Sequence, residues 1–352
     1  MNMRDPGHGA ALLSALRSAL EGLGADAGPV DGLRVLVDAG CADLPAPGGG
    51  TTLVRWRALG EVAAHDLSLV KLYEGHTDAL AILRELGAPA GIENSTPTST
   101  WGTWAAEAPG ARATVHPGPG GALLLRGRKA WCSGAQHASH GLLTAWHPDG
   151  QGPLLMAVDM RQPGVSFSGD HWHAVGMAAS ASVDILFDNV PAVPVGAVGD
   201  YLRRPGFWQG GAGVAACWHG GAVALAGVLH AAVAQAPEAQ RTAFRLAALG
   251  RVDRAMAGAA ALLREAAGWI DAHPRDDARL IALRVRQTAE ACARSVLDEV
   301  GRALGATPWC RDAGFARGAA DLPVFIRQSH AERDDAALGE CLAQSQEAPW
   351  SI

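Results

Sequence analysis

A small set of side chains in the sequence has the chemistry for proton transfer. His330 and Glu332 lie two residues apart, and an imidazole or carboxylate removed from water is a typical general base. On one helix, residues two apart point about 200° away from each other, so only one of them could face a common site. His330 has the small neighbours Ser329 and Ala331, whereas Glu332 begins a mixed-charge run typical of a solvated surface. The pattern therefore favours His330 over Glu332 as the general base.

Other reactive side chains form no metal or redox motif. His171 and His173 put two imidazoles on one strand face, but no acidic or cysteine ligand lies nearby in sequence, so we predict no metal site. None of the six cysteines has the CxxC spacing of a zinc or redox pair, which favours buried, reduced thiols.

Composition restricts the class of protein. The chain has 352 residues, a net charge of −6, 49% hydrophobic and 18% charged residues. This length indicates two or three domains, or one large layered domain, and the apolar fraction is enough for a hydrophobic core. The mild acidic balance argues against a nucleic-acid-binding surface. No apolar run approaches the roughly 20 residues of a membrane span, and the densest stretch, Gly210 to Ala234, is interrupted by Trp218-His-Gly220. No apolar signal region follows Met1, so we expect a cytoplasmic protein.

The hydrophobic pattern changes twice along the chain, which predicts three domains. Residues 1–97 are predicted to be helical, with helices from Gly60 to Leu72 and from His76 to Leu86 and a break at Glu74-Gly-His76. Residues 98–197 contain short alternating segments between turns, which predict an antiparallel β barrel or sandwich. Residues 198–352 are predicted to form four long helices in an up-and-down bundle, the last of them, Arg311 to Cys341, interrupted near Pro323.

Two segments of the middle domain carry a more specific pattern. Leu125 to Ala135 reads LRGRKAWCSGA, and Val175 to Pro191 reads VGMAASASVDILFDNVP. Both resemble strands of the acyl-CoA dehydrogenase family, and Pro153 to Val165 fits the strand and turn between them. The match runs from about Trp101 to Val195. It implies an α+β multidomain fold with an N-terminal helical domain, a middle antiparallel β barrel or sandwich and a C-terminal four-helix bundle.

The resemblance also implies FAD bound between the β domain and the bundle, in a homodimer or homotetramer. Trp131 would stand against the isoalloxazine ring, and Ser133 would donate a hydrogen bond to flavin N5 or O4. Arg327 and Gln328 would contact the phosphate or adenine of FAD. The full set of implied cofactor contacts is Thr103, Trp104, Ala106, Trp131, Ser133, Arg327 and Gln328.

The activity implied by the resemblance is α,β-dehydrogenation of an acyl thioester. A base removes the α-proton while a hydride leaves the β-carbon for the flavin, and an electron-acceptor protein is an expected partner. The family's Tyr-Glu-Gly motif is absent near residue 330, so His330 and Glu332 are the two predicted catalytic residues. Two alternatives stay open: a flavin-dependent monooxygenase on the same fold, with His330 assisting oxygen chemistry, and a degenerate, non-catalytic relative.

Overall fold

The computed structural model describes residues 6–24, 26–89, 92, 95–147, 149–150, 152–170, 172–238, 241–344 and 350. Four helices come first, then all the described strands, then seven further helices. The helices are α1 (Pro6–Glu21), α2 (Pro29–Asp38), α3 (Thr52–His65), α4 (Leu67–Leu86), α5 (Asp200–Arg203), α6 (Gly206–Ala234), α7 (Ala243–Ala272), α8 (Arg279–Leu304), α9 (Ala306–Arg311), α10 (Ala313–Phe325) and α11 (Glu332–Ala343). The strands are β1 (Trp101–Trp104), β2 (Ala113–Pro117), β3 (Leu123–Cys132), β4 (His140–Trp146), β5 (Pro153–Asp159), β6 (Val165–Ser168) and β7 (Val183–Pro194).

Helix α4 begins at a capped residue and runs without a break. The carboxylate of Asp66 accepts the backbone N–H of Leu69 at 2.7 Å, which starts the helix one residue after α3 ends. The predicted break at Glu74-Gly-His76 is therefore wrong. Gly75 lies where β1 meets the helix, and the Thr103 hydroxyl donates to the Gly75 carbonyl oxygen at 2.7 Å.

The strands close into a barrel. Strand β4 pairs with β5, β5 with β7, β7 with β3, β3 with β2, and β2 returns to β4, while β6 pairs with β7. The predicted barrel is confirmed, but its pairing is mixed. Strand β1 lies parallel to β4, with Trp101 opposite His140, and β2 touches β4 in parallel at Thr114 and Trp146. Neither pair is joined by a tight hairpin turn, which is what fixes consecutive strands antiparallel.

The C-terminal bundle contains three long helices, α6, α7 and α8, and a fourth part that is divided. The chain leaves helical geometry after α10, through a 3₁₀ turn (Ile326–Gln328) and the left-handed residue Ala331. The interruption predicted near Pro323 thus lies a few residues later, because Pro323 itself is inside α10. Three residues of this irregular segment, Arg327, Gln328 and His330, line a cavity between the bundle and the β barrel.

Helix α6 forms the centre of the helical core. Its Trp218 is fully buried, and the apolar cluster around it extends from the N-terminal helices into α7, α8 and α10. Within the described chain, α6 alone is long and apolar enough to cross a membrane by length and composition, and 67% of its most apolar window is buried inside the protein. A smaller apolar cluster, including Ile82, Trp101 and Leu142, joins α4 to the barrel.

Candidate functional site

A cavity of about 690 Å³ lies where α4, the barrel strands β1 and β3, helices α5 and α6, and the segment 326–334 meet. This volume is within the 300–1,000 Å³ range typical of ligand and cofactor sites. The lining is rich in aromatic side chains, although the whole chain has only 11 Trp, 2 Tyr and 6 Phe. The aromatic lining residues are Trp101, Trp104, Trp131, Trp172, Tyr201, Phe207, Trp208 and Phe325.

The tertiary structure brings eight of the nine sequence-predicted site residues to this one cavity. They are Thr103, Trp104, Ala106, Trp131, Ser133, Arg327, Gln328 and His330. The ninth, Glu332, is exposed at the first residue of α11 and does not line the cavity. The sequence analysis placed His330 and Glu332 on one helix. In the structure they do not share a helix, because the non-helical Ala331 separates them. Their chemical roles stay predictions.

Trp131 is held in a backbone conformation that side chains rarely adopt. Its φ angle is 60°, and it lies at the register shift of β3 between Lys129 and Cys132. The left-handed region costs an L-residue on the order of 1–2 kcal/mol. The bulge turns the side chain out of the barrel, so the indole is 52% exposed and faces the cavity. Backbone strain of this kind is characteristic of functional positions.

A second strained residue lines the same cavity, and a third directly follows a lining residue. Met177 has a φ angle of 58°, and its backbone N–H is held by the buried carboxylate of Asp321 on α10. Ala331 has a φ angle of 47° and follows His330 directly. Burial raises the pKa of Asp321, and the Met177 hydrogen bond opposes that shift. Strained residues thus lie in or next to the cavity wall in three parts of the fold: the barrel, the β6–β7 loop and the bundle.

Trp104 and Thr103 support the site differently from the sequence prediction. The indole of Trp104 is only 4% exposed, packs into the barrel core and donates its N–H to the Ser133 carbonyl at 3.1 Å. A Cβ at either Gly102 or Gly141 would overlap this ring. The Thr103 hydroxyl is already bonded to α4. Both side chains therefore position the wall, and both donate their hydrogen-bonding protons within the protein.

A chain of three serine hydroxyls fixes the direction of the hydrogen bond at Ser133. Ser180 donates to the carbonyl oxygen of Met177 at 2.7 Å, so its single proton is used. Ser182, 3.0 Å from Ser180, must then donate to Ser180, and Ser133, 2.8 Å from Ser182, must donate to Ser182. The Ser133 oxygen therefore offers lone pairs to the cavity. The sequence analysis predicted that Ser133 donates to a flavin; this serine chain favours acceptance by Ser133, and the contact with a flavin stays a prediction.

His330 is oriented by a carboxylate that the sequence analysis assigned to the surface. Its ring Nδ1 lies 3.2 Å from Oδ1 of Asp334, and its backbone N–H donates to Oδ2 of the same residue at 3.1 Å. Gln287 on α8 contacts that carboxylate as well, at 3.5 Å. Asp334 is buried, and it also lines the cavity. Because His330 lies before the first residue of α11, the helical spacing rule for residues four apart did not apply, and no sequence signal identified Asp334 as its partner.

Arg327 and Gln328 are positioned by contacts with α8. The Arg327 guanidinium donates to Glu290 at 2.6 Å. Burial raises the pKa of Glu290, but hydrogen bonds from Ser329, Arg294 and Arg327 outweigh it, so the pKa lies below its usual value. The side-chain oxygen of Gln328 is buried without a hydrogen-bond partner.

Further charged residues that the sequence analysis missed line the cavity. On α4, Glu74 pairs with Lys71 at 2.9 Å, and Asp78 pairs with the buried Arg55 at 2.8 Å. Arg286 projects from α8, and nothing in the local sequence distinguished it from other helical arginines. The described residues contain no cluster of three or more His, Cys, Asp or Glu arranged for a metal ion, and His171 lies outside them.

Comparison with known proteins agrees with the resemblance drawn from the sequence. Residues 106–190 match the family model described as acyl-CoA dehydrogenase, middle domain. An L-evernosamine nitrososynthase from a Micromonospora species is 34% identical over 88 residues, which are 24% of this chain and 21% of that protein. The sequence match thus spans about a fifth of that relative and falls short of its whole length.

Solved structures match the fold over nearly the whole chain. The FMN-bound dibenzothiophene monooxygenase TdsC from Paenibacillus sp. A11-2 superposes with a TM-score of 0.82 and 18% identity, covering 97% of this chain and 98% of that one. Butyryl-CoA dehydrogenase from Megasphaera elsdenii gives a TM-score of 0.81 and 17% identity, covering 96% and 98%. The predicted architecture is confirmed.

Proposed function

We propose that this chain, which has the fold and the middle domain of the acyl-CoA dehydrogenases, is a flavin-dependent monooxygenase. The flavin would lie in the cavity against β3, with Trp131 beside its ring. A bound reduced flavin supplies the two electrons with which dioxygen is divided, one oxygen atom entering the substrate and the other leaving as water. The relatives that are a nitrososynthase and a dibenzothiophene monooxygenase support this choice.

The residues of the cavity fit a flavin. The indole N–H of Trp172 and the amide oxygen of Gln328 are both buried without partners at the cavity wall. The isoalloxazine offers carbonyl acceptors and an N–H donor, which is the complement that these two groups need. Trp131, exposed by its bulge, provides the flat apolar surface. The Ser133 oxygen is an acceptor, suited to the N5–H that exists only in the reduced flavin.

We favour monooxygenation over dehydrogenation because the carboxylates of the cavity are paired with other side chains. Removing an α-proton requires a free base, yet each described carboxylate of the cavity already has a close partner: Glu74 has Lys71, Asp78 has Arg55, and Asp334 has His330. Two imidazoles also line the cavity, those of His137 and His330, and among the described residues His330 is the one of the two that a carboxylate holds. With Nδ1–H donated to Asp334, the Nε2 atom of His330 is left to deliver or take up a proton beside the substrate.

The proposal includes self-association, which the sequence resemblance implied. Phe244 is 88% exposed at the start of α7, and Leu246 and Val223 are also exposed large apolar side chains of the bundle. Burying them against a second copy removes apolar surface from water. Sedimentation at micromolar concentration is expected to give a dimer or tetramer, and a stable monomer would contradict this part.

Flavin titration followed by anaerobic reduction tests the function. FMN and FAD are titrated separately into the apoprotein, because the sequence resemblance implied FAD whereas the TdsC structure holds FMN. We expect one of them to bind stoichiometrically, and the chemically reduced protein to be reoxidised by dioxygen. A panel of acyl-CoA thioesters should leave the oxidised flavin coloured. Bleaching by an acyl-CoA would support the dehydrogenase instead, and failure to bind either flavin would leave the non-catalytic alternative.

A further inference from the structure

The helical wall of the cavity contains a cation without an ion-pair partner. Arg286 donates from Nη1 to the Gly211 carbonyl at 3.0 Å and from Nη2 to the Gln328 carbonyl at 2.9 Å. Its guanidinium carbon lies 5.0 Å from the ring centroid of the buried Trp218. Among the described residues, no carboxylate lies within ion-pair distance of Arg286. The group is thus fixed in direction and has no direct ion pair, while Asp334, Glu74 and Glu290 attract its charge only from a longer distance.

The acidic groups nearest to Arg286 are already engaged. Glu74 is bonded to Lys71, Asp334 to His330, and Glu290 to two other arginines. An unpaired charge that is largely removed from water costs several kcal/mol, so such a group usually has a ligand. Two of the five guanidinium N–H groups point to backbone carbonyls, and the remaining donors suit a planar two-oxygen anion.

The aromatic side chains that line the same cavity as Arg286 also select the shape of the ligand. Tyr201 and Phe207 pack edge to face with centroids 5.4 Å apart, and Phe207 and Trp208 do so at 5.3 Å. These three residues, with Phe325, line the cavity on the helical side, opposite the barrel residues Trp131 and Ser133. Aromatic walls of this kind favour flat rings.

We propose that the substrate is a planar aromatic compound bearing a carboxylate, with the ring among the aromatic residues of α5 and α6 and the carboxylate on Arg286. The proposal rests on the proposed function in one respect: the flavin lies along the barrel wall and reaches the helical wall only at the Gln328 side chain, so that Arg286 is left to the substrate. Arg286 then acts as a specificity residue that holds the ring in a fixed orientation.

Binding of benzoate and benzamide, two probes of one shape that differ in charge, tests the proposal. Affinities are measured by tryptophan fluorescence at pH 7.5, for the protein with and without flavin. We expect benzoate to bind about tenfold or more tightly than benzamide, the usual worth of a charge-assisted hydrogen-bonded pair. Arg286→Gln should remove the preference, and Arg286→Lys should keep part of it, because lysine retains charge but not the two-pronged geometry. Arg333→Gln, an exposed arginine beyond the cavity, should keep it fully.

Three outcomes would overturn the inference. The first is equal binding of the two probes by the parental protein. The second is an unchanged preference in Arg286→Gln or, if that variant does not fold, in Arg286→Lys. The third is a loss of flavin affinity in these variants with the benzoate preference retained, which would assign Arg286 to the flavin. A benzoate preference in a protein that binds no flavin would refute the proposed function and leave the anion site standing.

Discussion

The imidazole of His330 and the carboxylate of Asp334 form a hydrogen-bonded pair in which the same carboxylate also holds the His330 backbone N–H. The left-handed Ala331 lies between them, so the chain doubles back within four residues. A ring fixed at Nδ1 and at its own backbone has one free nitrogen and a restricted orientation. This geometry suits the role of proton carrier that we propose for His330.

Removing this pair should reduce turnover while leaving flavin bound. General acid–base catalysis contributes about 10²–10⁴-fold, so His330→Ala should lower the rate of product formation by about that factor. Asp334→Asn keeps the ring but weakens its orientation and should lower the rate less. Glu332→Gln, at an exposed residue, serves as the matched comparison. Parental turnover in His330→Ala, with flavin content unchanged, would exclude His330 as the proton carrier.

The direction of the serine chain predicts the sign of a redox shift. If the Ser133 oxygen accepts from N5–H of the reduced flavin, Ser133→Ala removes a bond of about 1 kcal/mol from the reduced form only. The midpoint potential should then become more negative by about 20 mV for a two-electron couple. Ser182→Ala should shift it the same way, because the freed Ser133 proton can then bond to oxidised N5. Ser166→Ala, an exposed serine of β6, is the control. A positive shift would show that Ser133 donates.

The left-handed conformation of residue 131 should lower the stability of the folded protein, and the indole of Trp131 should strengthen flavin binding. Glycine adopts the left-handed backbone conformation without the Cβ clash. The free energy of unfolding of Trp131→Gly should therefore be about 1 kcal/mol higher than that of Trp131→Ala, which makes the glycine variant the more stable of the two. Both variants should bind flavin more weakly, since both lack the indole. Urea denaturation and flavin titration of the two variants measure these effects separately. Equal stability of the two would mean that the bulge relaxes and stores no strain.

His76 should make the protein sensitive to acid below neutrality. Burial lowers its pKa to about 4 from the usual histidine value of 6.5, and its Nδ1 accepts the backbone N–H of Trp101. Between these pH values the unfolded chain binds the extra proton, so stability falls as the pH drops from 6.5 to 4. The full loss is at most about 3 kcal/mol.

Urea denaturation at pH 7 and pH 5 checks this effect. His76→Gln should lack most of the pH-dependent loss, although its stability at pH 7 will be lower if the Trp101 contact weakens. His65→Gln, at an exposed residue ending α3, should behave as the parental protein does. If His76→Gln loses as much unfolding free energy between pH 7 and pH 5 as the parental protein does, the acid sensitivity belongs to other groups.

The order of helices, strands and helices could be predicted from the sequence because it depends on local periodicity. The alternation of Val183, Ile185 and Phe187 fixes one strand face by itself, and the family pattern around Trp131 marks β3. The left-handed conformation of Trp131 was not predictable, because a bulge depends on how β3 pairs with β7, across more than 50 residues of sequence.

The sequence by itself determined two parts of the cavity wall, the strand around Trp131 and the segment from Arg327 to His330, whereas the choice of His330 over Glu332 as the base stays a prediction. The tertiary structure alone decided the partners: Asp334 beside His330, Ser182 beside Ser133, and no carboxylate beside Arg286 among the described residues. Periodicity places a side chain on a face, since that depends on neighbours a few residues away. The partner of a hydrogen bond depends on which elements pack together, and α4, the barrel and α8 meet only when the chain folds.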